Sequence, residues 1–575
     1  MNRSKIVLFL FVSLIPTYFL SGLILLFLNK IHLVTALKRY YSTLTFDAIL
    51  DNYPHIWQAI LVSFAISFGV ILKLFYQSKK SLYGNADFAT SQEIKDMGLF
   101  DNAGIIIGKY KGKLLRFAGA QFVSLAAATR GGKGIGMVLP NLLDWTESLV
   151  VQDIKDECFR ISSGFRQKIL KQKVYRFAPF ERNTHCFNPL ACIDMTDRAR
   201  AELDLKNQAT GLYPLVGDPD KDFWTAQCQN LFIALAFLLW DMRQYYMTDM
   251  ELTYANLLRL HSGVDSTDEN GEVEHIDFAR HAQLCIDSKI THPMTTDKLK
   301  IYLKSCESSK TQSNIDASFI NPLMIFQNEI VEKATSHSDF DLRQLRRQKM
   351  TIYFHISPQD LILAPQVANL FFNMAMLCNT DELPEVNPEL KHQVLFLMDE
   401  FTAMGMLSVI NKAVGFIAGY GLRLLLIYQS QGQLRAEKPH GYGKEGAKNI
   451  LDNIHCKVLY APASQDEAEE YSKVLGNRTA DKFSHSHGKS KSLSVTDVAR
   501  PLLYPQEFKL IGEFKEVVVL NNCKPIMCDK AVYYNDPYFI DKLKTVSPKL
   551  RALGNKLPNK AQLEEAMFSG ELSAK

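Results

Sequence analysis

The sequence lacks the features that define several common protein classes. None of its ten cysteines forms a C-x-x-C pair, and the first 157 residues contain no cysteine. The scattered spacing excludes a disulfide scaffold and a short-spaced zinc site, and it favours reduced thiols in a reducing compartment. No repeat of fixed period is evident. The chain also has little net charge, +4 at pH 7, so a basic surface for nucleic acid would have to be local.

The composition is that of a folded protein. Of the 575 residues, 47% are hydrophobic and 22% are charged, which excludes a wholly disordered or collagen-like chain. The apolar fraction provides ample material for a large core. The length alone predicts three or four compact units.

Two long uncharged runs near the N-terminus predict membrane-spanning helices. The run at about 6–28 has 23 residues without a charge, and at about 1.5 Å per residue it can cross a hydrocarbon core of about 30 Å. A cleavable signal peptide would have a shorter apolar region and a small-residue cleavage site. The second run, at about 56–76, has Trp57 and Tyr76 near its ends, as expected at membrane interfaces.

Basic residues around these runs predict a topology. Those before the first run and at the end of the second outnumber those in the loop between them, so the positive-inside bias places both chain ends in the cytoplasm. The outer residues are Arg3, Lys5, Lys73, Lys79 and Lys80, and the loop residues are Lys30, Lys38 and Arg39. We therefore expect residues 1–80 to form a membrane anchor with a periplasmic loop at about 29–55. One true span and one buried core helix remain the alternative.

Beyond about residue 81, short apolar runs predict a soluble α/β fold. The runs are continuous rather than alternating, which is typical of parallel strands in a sheet covered on both faces. We expect strands at Phe122–Ala126, Ser148–Gln152, Thr351–Ile356, Val394–Met398, Leu422–Tyr428, Lys457–Ala461 and Glu516–Leu520.

The character of the chain changes in the middle of this region. Residues 195–345 contain amphipathic helical segments and no convincing strand, so we expect an all-helical domain there. It would be inserted into the α/β domain and divide that domain into 81–194 and 346–540. Residues 541–575 are basic and polar, with one short amphipathic helix at about 563–568, which predicts a mobile tail.

Two polar segments predict exposed structure. Residues 263–274 are acidic and partly imitate a calcium loop, but the first and last ligand positions hold Ser266 and Asp277, so a solvated acidic turn is favoured. Ser484–Ser494 contains only Leu493 as a bulky apolar residue and predicts an exposed loop with solvated histidines.

The strongest local motif follows the predicted strand at 122–126. The loop Ala127–Gly134 occupies the position of a phosphate-binding loop, G-x-x-x-x-G-K-[ST], in which backbone N–H groups surround a β-phosphate and the lysine reaches the β- and γ-oxygens. Ala127 replaces the first glycine, and Gly134 replaces the hydroxyl residue that ligates Mg²⁺. Taken alone, the loop could equally be an ordinary glycine-rich turn. The residues that would surround a phosphate are Ala128, Thr129, Arg130, Gly131, Gly132, Lys133 and Gly134.

A strand that ends in two acids gives the second signal. Asp399 and Glu400 directly follow the apolar run 394–398, and ligands of α/β sheets bind at the carboxyl ends of the strands. Asp399 would hold Mg²⁺, directly or through water, and Glu400 would be the general base that polarises the attacking water. The alternative is an acidic cap of the following helix. Together with Lys133, the pair favours nucleotide hydrolysis.

A third strand ends in a polar residue, Gln429. Its amide could hydrogen-bond the γ-phosphate or the attacking water, and the alternative is a polar strand end without function. The preceding Tyr428 stands where a serine-hydrolase nucleophile elbow requires glycine, which excludes that motif.

With these residues in view, the chain resembles the type IV coupling proteins, the TraG-like membrane-anchored ATPases of conjugation and type IV secretion. In this family the loop commonly reads Thr-Arg-x-Gly-Lys-Gly, so the resemblance predicts Gly134. Ile154 and Asp156 depart from the family's usual proline and glycine. The motifs that carry the resemblance, between about Tyr83 and Asp529, are LYGNADFAT (82–90), GIIIGK (104–109), ATRGGKGIGMVLPNLL (128–143), LVVQDIKDE (149–157), FNPL (187–190), SDFDLRQLRR (338–347), FLMDEF (396–401), GYGLRLLLIYQS (419–430) and ARPLLYPQE (499–507).

The resemblance implies a RecA-like P-loop nucleotide-binding domain that uses ATP and Mg²⁺, an inserted all-helical domain, two transmembrane helices and a hexameric ring. It implies a multi-pass protein of the bacterial inner membrane with its ATPase domain in the cytoplasm. The implied partners are inner-membrane components of a type IV secretion system and a cargo, either a relaxase–DNA complex, effector proteins or both. Arg130, Arg423 and Arg478 are candidates for an arginine finger, and the motifs select none of them.

Three functions remain open at this point. The first is an ATP-driven receptor and translocase, which the intact Asp399–Glu400 pair favours. The second is a membrane scaffold that only binds nucleotide, which the missing hydroxyl at Gly134 favours. The third is a chromosome-partition DNA pump, which would require more membrane spans and a C-terminal winged helix; neither is evident. The acidic stretch in the insert predicts that the insert binds protein cargo rather than naked DNA.

Overall fold

The chain divides into two compact units, Met1–Tyr83 and Gly84–Lys575. The structure is a computed structural model. It describes Thr17, Leu20 and residues 56–75, 82–215, 218–267, 272–363, 365–438, 440–487 and 491–574.

The first unit contains helix α1, Ile56–Phe75, at the position of the second predicted span. Lys73 is its single charged residue. Apolar side chains on α1 are exposed, including Leu61 and Ile66. The first predicted span, 6–28, lies outside the described residues apart from Thr17 and Leu20, as does the predicted loop 29–55. The two-span anchor therefore stays a prediction.

The second unit is built around one large mixed sheet. In chain order, the strands are β1 (Ile105–Tyr110), β2 (Lys113–Phe117), β3 (Phe122–Ala126), β4 (Ser148–Asp153), β5 (Lys173–Phe177), β6 (Val264–Thr267), β7 (Val273–Ile276), β8 (Met350–His355), β9 (Val394–Met398), β10 (Leu422–Tyr428), β11 (Ile454–Leu459), β12 (Asn477–His487), β13 (Lys491–Pro501), β14 (Lys515–Leu520) and β15 (Ile526–Asp529). Within the described residues, eleven of them form one sheet in the order β2-β1-β15-β14-β11-β3-β10-β9-β4-β8-β5.

The sheet has a parallel centre and an antiparallel edge. Seven adjacent strands run parallel to one another: β11, β3, β10, β9, β4, β8 and β5. The other four join through antiparallel pairs. All seven predicted strands are present, although β14 is antiparallel. The predicted strand Lys457–Ala461 is displaced, because β11 starts at Ile454, where apolar Ile454 and Cys456 are buried.

Helices cover both faces of this sheet. In chain order, the helices are α2 (Ser91–Asp96), α3 (Leu139–Asp144), α4 (Glu157–Lys168), α5 (Arg198–Leu212), α6 (Pro219–Tyr246), α7 (Tyr254–His261), α8 (Phe278–Asp287), α9 (Pro293–Ser305), α10 (Ser309–Ile320), α11 (Glu329–Ala334), α12 (Pro365–Leu377), α13 (Ser408–Ala413), α14 (Gln431–Arg435), α15 (Gly443–Asp452), α16 (Gln465–Leu475), α17 (Pro505–Lys509), α18 (Pro537–Lys544), α19 (Pro548–Arg551) and α20 (Lys560–Phe568). Successive side chains of a strand point to opposite faces, so β9 divides between two cores. Phe396 and Met398 enter one core, and Leu395 and Leu397 enter the other.

The region between residues 195 and 345 has its own core around α6. Nine consecutive residues of this helix, 231–239, are buried. A helix that is apolar on all sides is expected to be enclosed. Among the described residues, α6 is the one helix long and apolar enough to cross a membrane, and 61% of its apolar window is buried within the protein. Its burial identifies it as the centre of this core.

The expectation that this region is all-helical is wrong. Strands β6 and β7 form an antiparallel hairpin in it, with Val264 opposite Ile276. The two strands flank the predicted acidic turn, whose residues 268–271 lie outside the described residues. The strands are short and mostly exposed, so no apolar run signalled them. Charge pairs support the hairpin instead: Asp265 contacts His275, and Glu274 contacts Arg280.

The predicted exposed loop at Ser484–Ser494 is also largely strand. β12 and β13 form an antiparallel hairpin whose register continues to His487 opposite Lys491. Composition favoured a loop because serine, lysine and histidine are poor indicators of strand. The backbone pairing of β12 with β13 does not require an apolar face.

The C-terminal segment is packed rather than a polar, mobile tail. Leu550, Ala566 and Leu572 are buried in the same core as α4. The N–H of Gly164 on α4 donates to the carbonyl of Leu572 over 2.8 Å. A Cβ at Gly164 would lie 2.4 Å from that oxygen, so glycine is needed for this close approach. The expectation failed because these apolar residues are separated by polar stretches.

Candidate active site

Backbone hydrogen bonds and two left-handed residues determine the shape of the loop between β3 and α3. Ala127 continues the strand, since its N–H donates to the carbonyl of Tyr428 over 3.1 Å. The N–H of Gly131 then turns back to the carbonyl of Ala128 over 2.9 Å. Arg130 and Gly132 take left-handed conformations, with φ of 63° and 81°. A Cβ added at Gly134 would meet no atom of the described residues within 4 Å, so the space beside this residue is open.

A helix starts at the end of this loop. Gly134–Val138 forms a π-helical turn that leads directly into α3. The first N–H groups of a helix have no intrahelical partner and carry a partial positive charge. The order of strand, glycine-rich loop and helix that a phosphate-binding loop requires is therefore present.

The acid pair lies opposite the lysine of this loop. Lys133 Nζ forms an ion pair with Glu400 Oε1 and lies 3.9 Å from Asp399 Oδ1. Glu400 has a left-handed backbone with φ of 59°. Such a conformation costs a non-glycine residue about 1 kcal/mol or more, and it is concentrated at functional sites. Here it turns the chain sharply at the end of β9.

Gln429 completes the cluster. Its Nε2 donates to Glu400 Oε2 over 3.0 Å, so Glu400 is held by Lys133 on one oxygen and by Gln429 on the other. The side chain of Gln433 donates through Nε2 to Gln429 Oε1 and accepts the backbone N–H of Gln429 through Oε1, each over 3.4 Å. Strand β10 lies between β3 and β9, which explains why residues 296 positions apart in sequence, Lys133 and Gln429, meet at one edge.

An open cavity lies on the Gln429 side of the loop. It has a volume of about 540 Å³ and is lined by Ala128, Thr129, Gln429 and Gln433, among others. The structure therefore brings together all the predicted site residues: the loop, the acid pair and the glutamine.

Burial gives the site unusual electrostatics. Desolvation raises the pKa of Asp399 to about 6; Lys133 opposes this shift, and Glu400 and Asp153 add to it. Among the described residues, Asp399 Oδ1 is a buried oxygen without a hydrogen-bond partner. A desolvated carboxylate oxygen of this kind is a ligand suited to a hard cation.

Two residues at the end of β4 belong to the site and were not selected from the sequence. Gln152 Nε2 donates to the carbonyl of Glu400 over 3.1 Å, and its Oε1 is another buried oxygen without a partner among the described residues. Burial raises the pKa of Asp153 to about 6. The signal was available, because β4 ends in polar residues as β9 and β10 do.

The turn after β4 has a left-handed residue at the position of the substituted glycine. Asp156 has a left-handed backbone with φ of 57°, a conformation that glycine adopts without strain. Its carboxylate accepts hydrogen bonds from Arg160 and Arg176 over 3.0 and 2.8 Å. These contacts offset the strain of the left-handed backbone at Asp156.

One of the three candidate arginine fingers is excluded by burial. Arg423 lies inside the sheet, 1% exposed, and donates to the carbonyls of Phe117 and Gln121. It cannot reach another subunit. Arg130 is exposed on the loop, and Arg478 is half-buried on β12.

Comparison with known proteins places the chain in a family. The model of type IV secretory system conjugative DNA transfer proteins matches residues 87–556. The chain belongs to this family, and the resemblance to coupling proteins is confirmed.

The relatives include conjugal transfer protein TraG of Escherichia coli, 26% identical over 538 residues, which cover 84% of this chain and 81% of TraG. Protein VirD4 of Agrobacterium fabrum is 27% identical over 474 residues, which cover 79% of this chain and 66% of VirD4.

Solved structures of the conjugative coupling protein TrwB share the fold. Unbound TrwB superposes with a TM-score of 0.55 at 14% identity, covering 79% of this chain and 96% of TrwB. TrwB in complex with ADP and Mg²⁺ gives a TM-score of 0.54 at 12% identity, covering 79% of this chain and 96% of TrwB. At these identities the likeness shows the fold alone, which supports the expected RecA-like α/β domain.

Proposed function

We propose that this chain is a membrane-anchored coupling ATPase that recruits cargo to a type IV secretion system and drives its transfer by ATP hydrolysis. The meeting of Lys133, Asp399, Glu400 and Gln429 at the carboxyl edge of three adjacent strands supports this proposal. A lysine, two acids and an amide at one such edge are the groups that phosphoryl transfer requires.

The site fits a nucleoside triphosphate with Mg²⁺. The residues of the loop, 128–134, would hold the phosphates through backbone N–H groups, with Lys133 on the β- and γ-oxygens. Asp399 would hold Mg²⁺ through Oδ1, which has no hydrogen-bond partner among the described residues, and Gln152 offers a second oxygen. Bound Mg²⁺ would neutralise charge on the phosphates. TrwB, whose fold is shared, has been solved with ADP and Mg²⁺.

The contacts of Glu400 suggest how hydrolysis is restrained before nucleotide binds. Lys133 occupies one oxygen of Glu400, so this carboxylate is not free to act as a base. Phosphate oxygens would compete for Lys133 and release Glu400. Glu400 would then accept a proton from the attacking water, and Gln429 would orient that water.

The proposed domain boundaries are the ones predicted from the sequence. Residues 81–194 and 346–540 form the nucleotide-binding domain, 195–345 the cargo-binding insert, and 541–575 a packed C-terminal segment rather than a tail. The supporting observation is that α5–α11 surround a core of their own.

We propose that residues 1–80 anchor the chain in the bacterial inner membrane through two helices, with the ATPase domain in the cytoplasm. Helix α1 supports this, because exposed Leu61 and Ile66 are suited to lipid. The proposed partners are further copies in a hexamer, inner-membrane components of the secretion system, and a relaxase–DNA complex or effector proteins. Arg130 and Arg478 remain candidates for the arginine finger of such a ring.

A nucleotide-binding scaffold without ATPase activity is the second candidate. The absence of a hydroxyl at Gly134 favours it, because that hydroxyl usually ligates Mg²⁺. The two candidates differ in whether hydrolysis is needed for transfer.

A transfer assay tests the proposal. Donor cells that carry Lys133→Ala should lose cargo transfer by about 100-fold or more, because the phosphate-binding cation is removed. Cells with Lys168→Ala, an exposed lysine on α4, should transfer normally. Normal transfer by the Lys133→Ala cells would contradict the motor role, provided that both variants reach the membrane in equal amounts.

A further inference from the structure

Two segments at the base of the insert lie side by side. The chain passes from β5 toward α5 through residues 186–190, and it returns from α11 toward β8 through residues 333–341. The N–H of Asp339 donates to the carbonyl of Cys186 over 3.0 Å, and the N–H of Phe187 donates to the carbonyl of Ala334 over 2.8 Å. These bonds bring residues 153 positions apart in sequence, Cys186 and Asp339, into contact.

A thiol, an imidazole and a carboxylate converge where these segments meet. One ligand atom from each of Cys186, His337 and Asp339 lies within 4.8 Å of the other two, and His337 Nε2 lies 3.5 Å from Asp339 Oδ1. Zinc binds sulfur at about 2.3 Å and nitrogen or oxygen at about 2.0–2.2 Å, so its tetrahedral ligand atoms lie about 3.3–3.7 Å apart. The imidazole and the carboxylate already have this separation, and the sulfur needs to move by little more than about 1 Å.

Neighbouring groups orient the imidazole and the carboxylate. Asp339 Oδ2 accepts the backbone N–H of Cys186 over 2.7 Å, which leaves Oδ1 facing His337. Ser336 Oγ donates its one proton to the carbonyl of Lys333 over 2.9 Å. Toward His337 Nδ1, 2.9 Å away, this hydroxyl can therefore only accept, which assigns the imidazole proton to Nδ1. Metal-binding histidines are commonly held by such a hydrogen bond through the other ring nitrogen.

This orientation sets two acceptor atoms against each other. With its proton on Nδ1, the neutral ring of His337 presents the lone pair of Nε2 to Asp339 Oδ1. A cation between the two atoms removes their repulsion, and it is either a second proton on the ring or a metal ion. The nearby sulfur of Cys186 favours the metal ion, because thiolate, imidazole and carboxylate are the three protein ligands of zinc.

We propose that Cys186, His337 and Asp339 bind a zinc ion, with water as the fourth ligand. The side chains of His337 and Asp339 are 60% and 39% exposed, so an ion can enter from solvent, and the buried Cys186 closes the protein side. The S–H of Cys186, which donates to the carbonyl of Lys333 over 3.3 Å, releases its proton to solvent when the sulfur bonds to the ion.

The ion would connect the segment that enters the insert with the segment that leaves it. Cys186 belongs to the first segment, and His337 and Asp339 belong to the second. Zinc would thus fasten the insert at its base, a role that does not depend on ATP hydrolysis.

The test uses Co²⁺ as a spectroscopic substitute for zinc on the full-length, chelator-treated and reduced protein. A thiolate bound to Co²⁺ gives a charge-transfer band in the near ultraviolet. We expect the wild type to show this band with a single Co²⁺ per chain and to lose it when Zn²⁺ is added. Cys186→Ser should abolish the band, and His337→Ala should weaken Co²⁺ binding by about tenfold or more.

Matched controls are available within the insert. Cys306→Ser replaces another partly exposed cysteine, and His275→Ala replaces a histidine that is 61% exposed and also paired with an aspartate. Both variants should give the band and the Co²⁺ affinity of the wild type.

Three results would overturn the proposal. No charge-transfer band in the wild type would identify Cys186 as a buried thiol beside a surface His337–Asp339 ion pair. A band that survives Cys186→Ser would assign the metal to other cysteines, and an affinity unchanged by His337→Ala would remove the imidazole from the site. If Cys186→Ser does not fold, His337→Ala decides, because the His337 side chain is exposed and its loss leaves the core intact.

Discussion

At the level of single residues, Glu400 is the most constrained side chain of the site. It combines a left-handed backbone with contacts to Lys133 and Gln429 through separate oxygens. A residue of this kind is held in place by its surroundings rather than by local preference. Replacing Glu400 should therefore slow ATP hydrolysis more than it weakens nucleotide binding.

Replacing Glu400 by glutamine should stop turnover and preserve nucleotide binding, because the amide keeps the shape and cannot accept the proton. The loss expected for a general base is about 10²–10⁴-fold. Single-turnover hydrolysis together with ATP affinity checks this. Wild-type turnover by the variant would rule out Glu400 as the base.

Asp399 should destabilise the chain in the absence of ligand near neutral pH. The pKa of Asp399 is raised to about 6 in the folded chain, so the folded state holds the proton of this carboxyl more tightly than the unfolded state does. The stability that this proton contributes is complete below the unfolded pKa and is lost as the pH rises through about 6. We expect Asp399→Asn to increase the free energy of unfolding by about 2 kcal/mol at neutral pH. Most of this gain should disappear at about pH 4.5. Unfolding curves of both proteins at the two pH values provide the measurement, and equal stability at neutral pH would contradict the account.

At the level of elements, the sequence predicted the centre of the sheet better than its edges. Runs such as 394–398 and 422–428 are buried on both faces, so every residue is apolar and the run is conspicuous. The edge strand β2, in contrast, mixes apolar residues with Lys113 and Arg116. The hairpins β6–β7 and β12–β13 depend on backbone pairing and give no apolar pattern.

The same limit applies to the site. Lys133, Asp399, Glu400 and Gln429 could be selected because each stands at the end of an apolar strand or in a glycine-rich loop. Gln152 also stands at the end of an apolar strand and was missed, but its contact with the carbonyl of Glu400 depends on the neighbouring positions of β4 and β9. Spatial adjacency of strands is not visible in one sequence.

The packing of the C-terminal segment can be tested by truncating a side chain. Leu550 is 1% exposed, so Leu550→Ala should lower the free energy of unfolding by about 2–5 kcal/mol. Leu557→Ala, at a position 43% exposed, should change it by less than about 1 kcal/mol. Denaturant unfolding of both variants is the measurement, and equal effects would show that the segment is not packed in solution.

At the level of the whole molecule, the helical insert is the candidate for cargo recognition. Its acidic hairpin is partly neutralised by its own basic residues, since Asp265 pairs with His275 and Glu274 with Arg280. Paired charges attract a basic partner less than free ones do. The hairpin is therefore a weaker cargo site than its composition suggested.

Replacing Asp265, Glu272 and Glu274 by serine should weaken capture of a basic protein cargo by about fivefold or less and leave ATP hydrolysis unchanged, because the insert lies outside the site residues. The affinity for cargo at low and moderate salt, with the ATPase rate as the control, checks this. Unchanged affinity at low salt would assign the hairpin to solvated surface.

The most direct test of the central claim is hydrolysis of ATP by the full-length protein in lipid nanodiscs with Mg²⁺. The account predicts steady phosphate release by the wild type and a loss of about 100-fold or more in Lys133→Ala, with both proteins folded and equally incorporated. Equal phosphate release by the two proteins would contradict the claim that Lys133 and the acids opposite it form the hydrolytic site.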